Sequence, residues 1–359
     1  MNDYKIMLNS IYNIPEDIEE IIKNLKNLNI LNYSFNKVVF LGTGGGSRAA
    51  FDILNTYLFD KSKYPFFIHQ GYEIPEFIDK DTLIIVCSYS GDTEETLEAF
   101  EKSQKKSDKF IIFSSNGKLE EITKIKNLPF IRLKKGYEAR QALHIIFFSI
   151  LIVLGKLLKL DFLNDINEVI DFLKEERDKV ILEVDEIANE MVNSIPIIYG
   201  SYSFSDSLAE RFRRQLNENG KIIAHSNIIP NLHHDEIVGF MDNFLKDKIY
   251  IILLRDQFED SKIKKRFDIT RELLKNYGYK VKEIYPVFNK TKLVRIFSFI
   301  FKLDLISIKF SLIRGFNPKD VEIIRKLKEM MKNEWFQCRD RYWWNKNFIQ
   351  SDWWGWKSI

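Results

Sequence analysis

The stretch Val38-Val39-Phe40-Leu41-Gly42-Thr43-Gly44-Gly45-Gly46-Ser47 reads as a buried strand entering a glycine turn that opens onto a helix. A second stretch of the same kind follows about one βαβ unit later, with Leu83-Ile84-Ile85-Val86-Cys87 leading into Ser88-Tyr89-Ser90-Gly91-Asp92-Thr93. Strand, small-residue turn and helix start together gather backbone N–H donors and hydroxyls around a phosphate. The second turn spaces Ser88, Ser90 and Thr93 so that three hydroxyls converge, while Gly91 keeps the turn free of a Cβ.

A dinucleotide site fits poorly. Ser47 stands where G-x-G-x-x-G needs its last glycine, and the next strand ends in His69-Gln70 with no carboxylate for a ribose diol. A P-loop is excluded because no Gly-Lys-Ser or Gly-Lys-Thr follows. A phosphate ester fits best.

The chain has 359 residues, 45% hydrophobic and 29% charged, enough for two globular domains with ample core. A net charge of +3 from 54 basic and 51 acidic residues gives no electrostatic case for nucleic acid. Cys87 and Cys338 are the two cysteines, too few for a disulfide framework or a metal cluster. The polar start, Asn2-Asp3, carries no signal-peptide pattern, and a cytoplasmic protein is expected. The apolar stretch from Ala142 to Leu154 falls short of the ~18 residues of a membrane span and reads as a core helix.

Strands are expected at Lys37–Leu41, Phe66–Gln70, Leu83–Ser88, Phe110–Phe113 and Phe130–Leu133, alternating with helices, the pattern of a parallel sheet covered on both faces. The theme recurs from Ile195–Tyr199, with further strands expected at Ile222–Ala224, Lys248–Leu254 and Lys280–Tyr285. The fold class is α/β, two doubly wound domains of one repeated plan. The expected division is a helical lead over 1–36, a first domain over 37–160, a helical connector over 161–192, a second domain over 193–330 and a tail over 331–359. That tail holds all six tryptophans, which suits a packed flap, an appended extension or an interaction surface.

Ser207 to Gly220 carries Leu208, Phe212 and Leu216 at intervals of four, one apolar helix stripe closed by Asn219-Gly220. Glu218 therefore falls at the helix C-terminus, where the macrodipole disfavours the ionised form and biases the group toward general-base work. In Pro230-Asn231-Leu232-His233-His234-Asp235-Glu236, adjacent histidines cannot both reach one ion from a regular helix, and no H-x-x-x-H or C-x-x-C spacing supports a metal. Acid–base work or an ordinary solvent or interface histidine remain. Arg140, ahead of the apolar helix, is either a helix-flanking charge or a clamp on a phosphate or enediolate oxygen.

Taken together, these stretches, with Asn217-Glu218-Asn219-Gly220-Lys221 and Asn317-Pro318 followed by Val321, Ile324 and Leu327-Lys328, resemble the bifunctional phosphoglucose/phosphomannose isomerases, which are sugar isomerase (SIS) domain proteins. The similarity spans roughly Lys37 to Lys328 and implies two SIS-type domains, each a mainly parallel sheet flanked by helices. It implies that Gly46, Ser47, Ser88, Ser90 and Thr93 hold the sugar phosphate and that Glu218 moves the proton between C1 and C2. Arg140 would shield the base from water and steady the enediolate. His234, contributed by the neighbouring subunit, and Lys328 (Lys326 if the register slips by two) would assist ring opening. A homodimer without metal or organic cofactor is implied, acting on glucose 6-phosphate, and on mannose 6-phosphate, to give fructose 6-phosphate. Ala139-Arg140 replaces the family's Pro-Arg, Asp92 its usual Asn, and Asn231 a glutamate. The Asp92 and Asn231 departures favour a non-catalytic sugar-phosphate sensor, whereas Glu218, Arg140 and His234 together favour an enzyme.

Overall fold

The computed structural model describes residues 2–332 apart from 30–32, 178, 180 and 243, so the tryptophans and Cys338 lie outside the described residues. It divides into two units, 1–319 and 320–359. In chain order the first unit contains α1 (Asn2–Tyr12), α2 (Ile14–Leu25), β1 (Lys37–Leu41), α3 (Gly44–Leu58), β2 (Phe66–His69), β3 (Thr82–Cys87), α4 (Glu94–Ser103), β4 (Phe110–Ser114), α5 (Lys118–Ile125) and β5 (Phe130–Arg132). It continues with α6 (Leu143–Leu158), α7 (Leu163–Glu176), α8 (Ile181–Glu190), β6 (Ile195–Ser201), α9 (Asp206–Glu218), β7 (His225–Ile229), β8 (Ile249–Leu254), α10 (Ser261–Asn276), β9 (Lys280–Ile284) and α11 (Lys292–Ile313). The second unit contributes α12 (Glu322–Lys332).

Two parallel sheets result, ordered β2-β1-β3-β4-β5 and β7-β6-β8-β9. The second order repeats the first four strands of the first, so the repeat expected from sequence is present at the level of topology. In each sheet the order reverses beside the first strand, which opens a crevice at the carboxyl ends of β1 and β3 and another at those of β6 and β8. Central strands β3 and β8 are buried along their whole length, as two-sided helix cover requires.

The apolar run expected as a core helix is α6, buried from Leu143 through Gly155. Phe147 and Phe148 meet Phe297 of α11 at ring-centroid distances of 5.1 and 4.6 Å, joining two buried helices into one core. Among the described residues no helix is long and apolar enough to cross a membrane.

The seventh strand departs from the sequence expectation. It runs from His225, not over Ile222–Ala224, because pairing with β6 begins at Ile197 opposite His225. The intervening segment is held outside the sheet by Lys221 at φ 53° and by Asn217 Oδ1, which accepts the Ala224 N–H at 3.1 Å. Ile223 is left 83% exposed, so its apolar character was no strand signal.

Glu210 fastens α9 to β7, accepting from Arg213 at 2.5 Å, Arg214 at 2.8 Å and Ser226 Oγ at 2.8 Å. Partial burial pushes its carboxyl upward, but these donors outweigh it and hold the group down to about 2. A depressed carboxyl stabilises the fold fully above the ordinary glutamate value of about 4.3, and that contribution vanishes as pH falls toward the folded value. Glu210→Gln should therefore unfold earlier than wild type at pH 7, with the gap closing on acidification to about pH 2–3; urea titrations across pH measure it.

Candidate active site

The crevice at β1 and β3 holds both turns singled out above. The first is tighter than the sequence implied: α3 already begins at Gly44, so Gly44, Gly45, Gly46 and Ser47 form its first helical turn. The N–H groups of a first turn have no intrahelical acceptor and face outward along the dipole, the arrangement that receives an anion. Ser47 Oγ points inward instead, buried and donating to Cys87 Sγ at 3.3 Å. What the Ser47 hydroxyl supplies is a tie between α3 and the end of β3. Burial pushes the Cys87 thiol up to about 12, so it is a packing group and no nucleophile.

In the second turn Ser88 Oγ and Thr93 Oγ1 stand 2.9 Å apart, and Gly91 N donates to Ser88 Oγ at 3.1 Å. Ser90 is exposed beside them. Gly91 has φ +77°, and a Cβ there would stand 1.7 Å from Asn116 O, so only glycine fits. Asp92 turns away from this cluster: its Oδ1 accepts Lys118 N at 3.0 Å, at the positive end of α5. Asp92, where the resemblance has an Asn, thus bonds the first N–H of α5.

Arg140 and Glu218 arrive from opposite halves of the chain. Arg140 is buried in the turn before α6, and Glu218, a quarter exposed, ends α9 as the helix-stop signal implied. Arg140 Nη1 lies 3.5 Å from Glu218 Oε2 and 3.9 Å from Glu138 Oε2. The rest of the guanidinium is fixed: Nε donates to Asn219 Oδ1 at 2.8 Å, and Nη2 to Pro318 O at 2.7 Å and Lys319 O at 3.3 Å. One edge is left facing the carboxylate.

The glycines set that approach. A Cβ on Gly45 would stand 3.0 Å from Glu218 Oε1 and 3.1 Å from Arg140 Cβ, and one on Gly46 would stand 2.3 Å from Ala139 O. The glycine turn, both ends of the Arg140–Glu218 pair and the hydroxyl turn thus meet at one crevice.

Asn219 is the functional residue the sequence reading missed, since it registered only as a stop signal. It belongs to a polar row, Arg211, Gln215 and Asn219, spaced by four beside the apolar stripe. Arg211 donates to Asp304 at 2.5 Å and to Arg140 O at 3.3 Å, Gln215 to Asp304 at 2.9 Å, and Asn219 to Ser307 Oγ at 2.9 Å. That second period-four row was the available signal.

The histidines separate. His233 bonds Thr270 Oγ1 at 2.7 Å and Arg266 at 3.0 Å, and burial with the nearby Arg266 and His234 charges pushes its imidazole down. It holds the segment. His234 is exposed at the end of a 3-10 turn, Asn231–His234, and among the described residues it forms no hydrogen bond or ion pair with Glu218 or Arg140. Glu236 anchors the same segment, accepting from Tyr199 OH at 2.5 Å and Asn227 at 2.5 Å with His225 at 3.0 Å. Lys328 is exposed on α12 in the second unit, and among the described residues it has no ion pair. Lys326, one half-turn earlier in that helix, pairs with Glu322 at 2.7 Å. Among the described residues no group of three or more His, Cys, Asp or Glu could hold a metal ion.

A paired parallel-sheet chain with an anion turn, a second hydroxyl turn and a carboxylate–arginine pair at one switch point defines a phosphosugar-handling protein of the sugar isomerase type. Solved structures agree on the fold: a glucosamine-6-phosphate deaminase from Thermotoga maritima superposes with a TM-score of 0.68 over 89% of this chain and 96% of that one, at 16% identity. The family described as the bacterial phospho-glucose isomerase C-terminal SIS domain matches residues 183–331. The bifunctional phosphoglucose/phosphomannose isomerase of Caldicellulosiruptor bescii is 32% identical over 93% of this chain and 100% of its own length. That of Aquifex aeolicus is 32% identical over 83% and 91%. The chain belongs to the bifunctional phosphoglucose/phosphomannose isomerase family.

Gly46→Ala forces its Cβ against a backbone carbonyl and should destabilise the fold by about 1–3 kcal/mol while displacing Arg140. Gly45→Ala meets the movable tip of Glu218 and the Arg140 Cβ at looser distances, so it should cost far less stability and still depress turnover. Thermal unfolding measured beside turnover separates the two.

Proposed function

We propose that this protein interconverts glucose 6-phosphate, and mannose 6-phosphate, with fructose 6-phosphate through a cis-enediol. The observation that carries the reading is Glu218 Oε2 at 3.5 Å from Arg140 Nη1, beside the N-terminal turn of α3. The phosphate is held by the first-turn N–H groups at Gly46 and Ser47 and by Ser88, Ser90 and Thr93. With that end fixed, the C1–C2 edge of the open-chain sugar lies over Glu218 by positioning alone, which is worth several kcal/mol.

Glu218 takes the proton from C2 of the aldose, the electron pair forms the C1–C2 double bond, and the carbonyl at C1 takes up a proton as the enediol forms. Returning the proton to C1 while O2 loses its own gives the ketose. The Nη1 edge of Arg140, beside Glu218, faces the oxygen on which negative charge develops, a preorganised donor in a buried setting. Rotation about C2–C3 lets one base serve both C2 epimers. A phosphorylated hexose as substrate fits a cytoplasmic enzyme.

His234 and Lys328 assist ring opening, His234 from the partner in a homodimer. Its exposure, its distance in sequence and bonding from Glu218, and the exposed apolar Ile223, Val238, Met241 and Phe244 around its segment support that assembly.

Glu218→Gln should lower isomerase turnover by about 10²–10⁴ while sugar-phosphate binding persists. A coupled assay with fructose 6-phosphate beside a thermal-shift titration reads both, and retained turnover removes Glu218 from the role. Mixing Glu218→Gln with His234→Ala should restore activity through heterodimers, since one of their two sites then has both groups intact. Without recovery, His234 does not act across subunits.

A further inference from the structure

Three titratable side chains outside the proposed chemistry meet at the buried Asp17 of α2. Asp17 Oδ2 lies 2.8 Å from His144 Nε2 and also accepts from Tyr137 OH, while Oδ1 accepts from Lys134 Nζ at 2.8 Å. Lys134 in turn reaches Glu20 at 2.5 Å. Tyr137 and His144 bracket the turn that carries Arg140, so one carboxylate oxygen holds both ends of that turn. Their rings also meet edge-on, 5.5 Å apart.

The other side of the turn is tied to the phosphate cradle. Tyr89, between Ser88 and Ser90, sends its hydroxyl across to accept Tyr137 N at 3.2 Å and to donate to Lys134 O at 2.8 Å. Its own backbone is fixed, with Tyr89 O accepting from Ser115 N at 3.1 Å and Ser115 Oγ at 2.6 Å. The hydroxyl turn, the Arg140 turn and the N-terminal helix α2 form one bonded frame.

We infer that Asp17 is a positioning residue for Arg140, holding its turn at both ends through Tyr137 and His144, and that Tyr89 sets the spacing between that turn and the phosphate cradle. This rests on the isomerase reading for its kinetic consequence, and on geometry alone for its structural one. Buried carboxylates with three donors are rigid hubs, because any loosening leaves a desolvated charge unpaired.

Tyr137→Phe removes one hydroxyl and keeps the ring, so it is the gentlest test; Asp17→Asn is the stronger one. Both should lower kcat about tenfold or more through misplacement of Arg140. KM for fructose 6-phosphate should stay within about twofold, because the cradle itself is untouched. Tyr89→Phe should raise KM as well. In an Arg140→Ala background Tyr137→Phe should cost nothing further, a non-additivity that general loosening would not produce. Hydrogen exchange supplies a readout independent of turnover: amides 137–142 should exchange faster in both variants. Unchanged exchange there overturns the inference, as does a kcat loss that persists undiminished without Arg140. If wild type itself converts no hexose phosphate, the isomerase reading falls and the exchange result still decides this one.

Discussion

The buried guanidinium of Arg140 is the constraint around which the rest is arranged. A charge removed from water must have its donors answered by fixed acceptors or the fold loses several kcal/mol. Three acceptors come from far along the chain: Asn219 on α9 and the carbonyls of Pro318 and Lys319. Satisfying Arg140 therefore requires the first sheet's loop, the second half's α9 and the segment after α11 to meet in one register. The row Arg211, Gln215 and Asn219 fixes α9 against Asp304 and Ser307 of α11, so the acceptor that Arg140 needs is itself immobile. Glu218 follows Arg140 into place because it precedes Asn219 by one residue.

The repeated topology raises the question of why the second crevice is not a second cradle. At the carboxyl end of β8, where the first half has its hydroxyl turn, the second half has Arg255-Asp256-Gln257-Phe258-Glu259-Asp260. Arg255 is folded inward, bonded to Glu259 at 3.0 Å and Asp268 at 3.0 Å and to Glu283, with its guanidinium 4.7 Å from the Phe267 ring centre. Asp256 is paired with Arg295. The counterpart of the glycine turn is closed too, since Ser205 Oγ accepts Ser201 N at 2.8 Å and donates to Leu254 O at 2.8 Å. Paired carboxylates fill the place where the first half presents its hydroxyls. The second half gives its helix end to the first half's crevice instead.

Much of this was legible in the chain. Strand β1 matches its expected limits, and β3 and β8 differ from theirs by a residue, because an apolar run bounded by small polar turns is a strong signal for a central parallel strand. The edge strand β7 was not legible: its partner lies on one side only, so Ser226 and Asn227 are tolerated in it while the apolar Ile223 stays outside. At the site, residue type singled out Arg140 and Glu218, which the fold brings within 3.5 Å of each other, but could not separate a glycine that binds an anion from one that admits a neighbour. Gly46 does the second whatever it does for the first, since Ala139 O leaves its α-carbon no room for a side chain. Asp92 bonds the first N–H of α5, and the Ser47 hydroxyl ties α3 to β3. Such roles depend on which backbone group lies within about 3 Å, hydrogen-bond reach, a tertiary fact without a local sequence signature.

The two adjacent histidines carry the same lesson into assembly. Chemistry and spacing gave no reason to prefer one over the other, yet their surroundings differ completely. His233 has both ring nitrogens engaged and is pushed toward its neutral form by burial and by neighbouring positive charge, which suits a spacer and not a proton carrier. His234 is turned outward by that same anchoring, on a segment pinned a second time through Glu236 to Tyr199 and Asn227. His234 is thus exposed on a firmly held segment, and among the described residues it forms no hydrogen bond or ion pair with Glu218 or Arg140. An outward histidine on a rigid, apolar-edged segment is the arrangement that the proposed partner-completed site requires.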